Sequence, residues 1–315
     1  MMGNFVKETC SGNEPDSFSF AETRRVMRRI ARRIVDACPL ITTIGKARLA
    51  KLETQRIRDK YLSVMVSCLT GTIYEDPPLK VLGQERFDAT LREHGWDWPS
   101  QAHTMIGTKR LTNLRVLIED VIKNEVPGDF IETGVWRGGA CILMRAILFA
   151  YSIETRRVWI ADSFEGLPRP DAARYPADEH DTFYTYKDLS VSMEEVKRNF
   201  EKYGLFDGQL IFLKGWFKDT LPTADINSLA ILRLDGDMYE STMLALESLY
   251  AKVSTGGYII IDDYHVVKGC KLAVDEFLAK NKIVPHLGEI DGVGVYWQKS
   301  EPETGRKEWP VNRGA

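Results

Sequence analysis

Four aspartates fall in two short runs, Asp235-Gly236-Asp237 and Asp262-Asp263, the second followed by Tyr264-His265. Each run directly follows an apolar stretch, 229–234 or 258–261, with the length and make-up of a buried strand. Acids gathered at neighbouring strand ends repel one another and resist ionisation. A hard divalent cation removes that cost, and oxygen-only ligation suits Mg²⁺ or Mn²⁺. The alternative is a set of surface acids with helix caps among them. Asp237 and Glu240 are the better placed for capping, since a helix is expected to begin at Ser241.

Three more strand ends carry a different chemistry. Residues 129–133 lead into Glu132-Thr133-Gly134-Val135-Trp136-Arg137-Gly138-Gly139, a glycine-bearing turn that lets a ligand approach the backbone. It lacks the full G-x-G-x-x-G pattern, so a pyrophosphate cofactor is disfavoured. Residues 158–161 lead into Asp162-Ser163-Phe164-Glu165-Gly166-Leu167-Pro168. An acid at the second strand end suits a ribose diol, accepting from both hydroxyls. Residues 210–214 lead into Gly215-Trp216-Phe217, aromatic surface for an adenine ring. Together the three ends fit an adenosine-containing ligand that makes no phosphate demand.

Positioning these ends requires strands that alternate with helices. Helices are expected over 111–123, 139–151, 192–203, 241–253 and 271–280, with a last strand over 293–298. Such alternation means a parallel twisted α/β sheet with helices on both faces, binding ligands at its carboxyl ends. Upstream, 47–69 and 84–94 suggest helices, with a break at Gly45. Residues 20–37 suggest another, in which Met27, Ile30, Ala31, Ile34 and Val35 form an apolar stripe. Arg24, Arg25, Arg28, Arg29, Arg32 and Arg33 cover its other side, either as a solvated face or as a docking face for an acidic partner or anionic membrane surface.

Composition narrows the classes further. The net charge of −3 conceals +6 over residues 1–60, from 13 Lys/Arg against 7 Asp/Glu, and an acidic main body. That body argues against nucleic-acid binding. No apolar run is long enough to span a bilayer, and no signal peptide is evident at the N-terminus. The five cysteines (Cys10, Cys38, Cys68, Cys141, Cys270) form no C-x-x-C pair, which suggests reduced thiols and a cytoplasmic home. Three regions are expected: an N-terminal extension 1–69, a main domain 70–300 and a tail 301–315.

The runs GDFIETGVWRGGA, WIADSFEGLPRPD, FLKGWFKDTLP, LRLDGDMYESTMLALE and GGYIIIDDYH resemble the macrocin O-methyltransferase (TylF-type) family, as do TGTIYEDPP and DWPSQAHTMIG upstream. These enzymes move a methyl group from S-adenosylmethionine to deoxysugar hydroxyls on macrolides and related natural products. The resemblance implies a Rossmann-like class I methyltransferase fold, Mg²⁺ dependence (Mn²⁺ as substitute), antibiotic biosynthesis, and a homodimer or homotetramer. It implies that Asp235 is both metal ligand and proton acceptor, with Asp262 and Asp263 as further ligands. Glu132, Thr133, Gly134, Asp162, Ser163, Gly215, Trp216 and Phe217 stand where the family holds the donor, and Thr104, Met105 and Ile106 in a segment that folds over it. Residues 169–188 match the variable loop near the acceptor. His180 lies in that loop, either helping to deprotonate or position substrate or simply exposed, and His265 is open in the same way. The N-terminal extension is longer than expected for the family.

Other readings compete. The acceptor is alternatively a catechol-like or polyketide hydroxyl, with nearly identical metal chemistry. A sugar-nucleotide transferase would use Asp235-Gly236-Asp237 as its D-x-D, yet leaves the DSFEGLP and IDDY segments unexplained. A non-catalytic scaffold working through the arginine helix would have no use for the acid triad.

Overall fold

The structure, a computed structural model, describes residues 24–25, 27–29 and 39–301. The chain divides into two compact units, 1–57 and 58–315. In the first, Arg24, Arg25, Met27, Arg28 and Arg29 are helical and exposed, and the rest of the expected arginine helix lies outside the described residues. Helix α1 (Pro39–Leu69) carries the boundary between the units. It continues through Gly45, where the sequence suggests a break. Glycine inside a helix costs only about 1 kcal/mol relative to alanine, and the Lys, Ala, Arg and Leu residues that follow are strong helix formers. Pro39 opens this helix, where its missing N–H is not needed.

The second unit is built on a seven-stranded sheet: β1 (Asp129–Thr133), β2 (Val158–Asp162), β3 (Leu210–Lys214), β4 (Leu229–Leu234), β5 (Val253–Ile261), β6 (Gly288–Glu289) and β7 (Val295–Gln298). Its order is β3-β2-β1-β4-β5-β7-β6. The first five strands pair in parallel, and β7 runs antiparallel to both β5 and β6. The order reverses between β1 and β4, and a crevice opens at such a switch point.

Alternation along the strands serves two cores. Phe130, Ile160, Ile231 and Ile260 face α3 (Gly107–Lys123), α4 (Gly139–Ala150) and α5 (Met193–Lys202), together with Leu62 and Leu69 of α1. Ile131, Trp159, Leu232 and Ile259 face α7 (Tyr239–Leu249) and α8 (Lys268–Lys280). Each such aliphatic or aromatic side chain contributes about 1.5–3 kcal/mol by leaving water. Burial on both faces explains why the strands read as apolar runs without polar alternation. Arg233 interrupts β4 and is 1% exposed. Two short helices complete the unit, α2 (Ala89–His94) and α6 (Phe217–Thr220). Among the described residues no helix is long and apolar enough to cross a membrane. Cys68, Cys141 and Cys270 are free thiols, while Cys10 and Cys38 lie outside the described residues.

Candidate active site

The parallel ladder runs past the strands and ties their ends together. Gly134 N–H donates to Ala161 O, Gly215 N–H to Asp162 O, Asp235 N–H to Thr133 O and Asp262 N–H to Leu234 O, each at 2.9 Å. Backbone register therefore sets the glycine turn, the β2 acid and the β4 and β5 acids side by side. They share one cavity of about 570 Å³.

The floor of the cavity is the glycine turn. Gly134 has φ 84°, and a Cβ there would lie 1.8 Å from the Asp235 carbonyl oxygen. Only glycine permits this approach between the ends of β1 and β4. Asp162 is already partly engaged: Oδ2 accepts from Val135 N–H (2.7 Å) and Oδ1 from Phe164 N–H (2.6 Å). Burial raises its pKa, against the lowering effect of these amide donors. A carboxylate has lone pairs left for two hydroxyls. Ser163, Gly215, Trp216 and Phe217 also line the cavity, as does Trp136. Trp136, Phe164 and Asp237 adopt φ of 45°, 58° and 56°. Left-handed backbone at bulky residues is costly and gathers at functional sites; all three stand just beyond a strand end.

Thr104, Met105 and Ile106 form part of the wall. Their segment is fastened down by three side chains whose role the sequence does not reveal. Arg137 donates to Pro99 O (3.1 Å) and Ala102 O (2.9 Å). Buried Asp76 accepts from the Ser100 hydroxyl (2.7 Å) and from the amides of Gln101 and Ala102 (2.8 Å each). Arg92, fully buried, bonds both oxygens of Asp97, Thr70 O (2.6 Å) and Asp76 O (2.8 Å). Gly139 gives passage: a Cβ there would lie 2.4 Å from His103 O.

Asp235, Asp262 and Asp263 each offer an oxygen within 4.8 Å of the others. Two guanidiniums brace them. Arg233 donates to Glu132, to Asp235 Oδ2 (2.7 Å) and to Asp262. Arg110, from the first turn of α3, donates to Asp262 and to His94 O (3.1 Å), and its Nε stands 2.9 Å from Asp291 Oδ2. Even so, the carboxylates outnumber the guanidiniums. Burial and the Asp262 charge push Asp235 up to about 6, Arg233 opposing. Asp263 is raised well above the usual carboxylate range by burial and then by Asp237. Its Oδ2 is buried without a hydrogen-bond partner. An orphaned anionic oxygen beside two further carboxylates is a donor set that fits Mg²⁺ or Mn²⁺.

Other expected residues fall elsewhere. Glu132 touches the cavity, but Arg233 and the Cys141 thiol (3.0 Å) hold its carboxylate, and burial lifts it to about 7. Thr133 is buried and its side chain does not line the cavity; its carbonyl holds Asp235. His180 is exposed, and His265 stands 3.0 Å from Glu289 Oε2; neither lines the cavity. The expected caps are corrected. Neither Asp237 nor Glu240 caps α7, which starts at Tyr239 instead of Ser241. The cap is Asp178, whose oxygens accept from Tyr239 N–H (2.7 Å) and Glu240 N–H (3.0 Å). Asp237 instead lines the cavity, raised well above its usual range by burial and by Asp235. Arg233, Arg110 and Asp178 escaped the sequence reading, though an arginine inside the apolar run 229–234 was a visible signal for the first.

Seven strands in this order, with the turns after β1, β2 and β3 opening on one cavity, are the frame of the class I, S-adenosylmethionine-dependent methyltransferases. Comparison with known proteins narrows this. Residues 40–299 match the family described as Macrocin-O-methyltransferase (TylF). Demethyldecarbamoylnovobiocin O-methyltransferase of Streptomyces niveus is 54% identical over 253 residues, covering 79% of this chain and 96% of its own. The 8-demethyl-8-(2,3-dimethoxy-alpha-L-rhamnosyl)-tetracenomycin-C 4'-O-methyltransferase of Streptomyces olivaceus is 49% identical, covering 78% and 94%. The solved structure of the O-methyltransferase NovP matches with a TM-score of 0.75 at 54% identity, covering 77% of this chain and 99% of that one. This chain belongs to the macrocin O-methyltransferase family and is an S-adenosylmethionine-dependent O-methyltransferase.

Proposed function

We propose that the enzyme methylates a hydroxyl of a sugar carried on a natural product, in antibiotic biosynthesis, with Mg²⁺ held by Asp235, Asp262 and Asp263. The observation that carries this is the convergence of the aspartate triad and the donor-binding turns on a single cavity. Relatives support the acceptor class: the names of three describe O-methylation of demethyldecarbamoylnovobiocin, of a rhamnosyl-bearing tetracenomycin C at its 4' position, and of mycinamicin III at its 3'' position. Homodimeric or homotetrameric assembly and a cytoplasmic setting complete the reading.

A sugar hydroxyl holds its proton tightly and is a poor nucleophile. Mg²⁺ at the triad would supply Lewis acidity, lowering the pKa of a hydroxyl placed against it. Asp235, at the end of β4 in the same cavity, takes the proton. The hydroxyl oxygen then forms a C–O bond to the sulfonium methyl as the C–S bond breaks, leaving S-adenosylhomocysteine. Arg233 keeps Asp235 and Asp262 in register through this change of charge. The Thr104–Ile106 wall and the glycine turn hold donor and acceptor in line, from which much of the acceleration comes.

The test is a labelled-methyl assay of chelator-stripped enzyme against glycosylated natural products and free phenols, across a range of Mg²⁺. Activity is expected only with metal, and on the glycosides. Asp263→Asn should recover much of its rate as Mg²⁺ rises. Asp235→Asn should stay about 100- to 10,000-fold slow at any Mg²⁺, since an amide cannot serve as the base. Full activity without metal removes the triad's proposed role. Equal rescue of both variants makes Asp235 a ligand only, and Asp237, which lines the same cavity, the next base to test.

A further inference from the structure

We infer that Asp178 is a positioning residue that locks the acceptor-side loop onto the catalytic turn. The inference rests on the reading that the loop 169–188 lies against the acceptor.

The loop between β2 and α5 is mostly exposed, yet Asp178 within it is 3% exposed. Among the described residues its carboxylate pairs with no cation; it spends both oxygens on the amides of Tyr239 and Glu240, the first turn of α7. A helix is normally capped by the residue just before it. Here that residue is Met238, which offers no side-chain cap. The cap therefore comes from a separate segment, 61 residues earlier in sequence for Tyr239. Its negative charge also faces the positive end of an eleven-residue helix. Room for the contact is left by Gly269 in the first turn of α8, where a Cβ would lie 2.7 Å from Asp178 Oδ1.

Location gives this cap its consequence. Only Asp235, Gly236, Asp237 and Met238 separate β4 from α7, so the capped amides lie two and three residues beyond Asp237. That turn is tight, with Met238 N–H on Gly236 O at 2.6 Å and Asp237 at φ 56°. On the loop side, Arg169, Asp171, Arg174 and Phe183 line the cavity on both sides of Asp178 in sequence. One carboxylate thus joins the wall that meets the acceptor to the turn that carries the base. Losing it should loosen the acceptor wall and leave the donor turns, which hang on the backbone ladder of β1, β2 and β3, unchanged.

The experiment compares wild type with Asp178→Ala, Asp178→Asn and Gly269→Ala. Gly269→Ala keeps the carboxylate but crowds it out of place. Trypsin cleavage after Arg174 and Lys187, both exposed and on either side of Asp178, is followed by mass spectrometry well below the melting temperature, and affinity for S-adenosylhomocysteine is measured by calorimetry. Asp178→Ala and Gly269→Ala should be cut at these bonds roughly five- to tenfold faster, the scale of a lost cap. Asp178→Asn, keeping one acceptor oxygen, should fall between. Donor-product affinity should stay within about twofold, and the KM of whichever glycoside turns over should rise more than kcat falls. Unchanged cleavage at Arg174 and Lys187 overturns the inference. So does S-adenosylhomocysteine affinity falling in step with stability, which marks an ordinary helix cap. If no glycoside turns over at all, the acceptor reading fails, while cleavage and donor affinity still decide the role of Asp178.

Discussion

His103 stands immediately before the Thr104–Ile106 wall, its Nδ1 2.8 Å from the Tyr203 hydroxyl. Burial, then the nearby Lys202 and Arg137 charges, push it down to about 4 from an ordinary 6.5. The folded protein thus keeps this imidazole neutral where the unfolded chain would protonate it. The stability this contributes is present in full above pH 6.5 and is lost as pH falls towards 4. Melting temperatures of wild type and His103→Gln should therefore differ most at pH 8 and converge through that window. A difference that does not change with pH would show that His103 is not held neutral. What the sequence revealed about single residues divides along the same line between local and distant causes. Asp162, Asp262, Asp263 and Gly134 could be read because each follows its own strand. Arg110 and Asp178 could not, because their partners are supplied by remote segments, and Arg233 showed only as an oddity in an apolar run, its partners being set by register. Nor does any local pattern announce left-handed backbone at Trp136 or Phe164, where glycine would be expected.

Among the elements, the β1–α4 turn holds the closest tolerance. Gly134 combines a left-handed backbone with a carbonyl 1.8 Å from where a Cβ would sit. Gly134→Ala must push the Asp235 backbone away and break the register that sets the glycine turn beside Asp235. We expect S-adenosylhomocysteine affinity to fall more than about tenfold, with a loss of roughly 1–2 kcal/mol from backbone strain alone. Gly256→Ala is the control: its φ is 83°, but the nearest neighbour is the Val126 side chain, at the other end of the sheet. Calorimetry and melting curves should show both variants destabilised and only Gly134→Ala impaired in donor binding. Equal donor affinity in the two would mean that the turn has slack. The strands were legible because burial on both faces leaves them mostly apolar, with Arg233 the exception inside β4. Helix ends were less so. Helix α7 begins two residues before Ser241 because a remote carboxylate, not its own sequence, caps it. Helix α1 ignores Gly45 because a single glycine is a small cost in a long run of helix formers.

At the scale of the molecule, the family match begins at residue 40 and the second compact unit at 58. The exposed Arg24, Arg25, Arg28 and Arg29 lie outside both. Deleting residues 1–38 should leave the circular dichroism spectrum, S-adenosylhomocysteine affinity and metal-dependent turnover unchanged, and remove only binding to an acidic partner or anionic vesicles. Loss of donor affinity or of the oligomeric state would make the extension part of the enzyme itself. The acceptor loop stands in a different relation to the whole. It leaves and rejoins the body at a narrow neck, where a Cβ on Gly166 would lie 3.3 Å from Ser190 Cβ and the Ser163 hydroxyl donates to Gly166 O at 2.7 Å. A segment whose two ends nearly touch can be exchanged without moving the strands it springs from. On the acceptor role proposed for this loop, substrate range would be a detachable cassette on a fixed catalytic chassis. Any transplanted loop would keep the chassis in working order only if it brought its own carboxylate to the α7 helix.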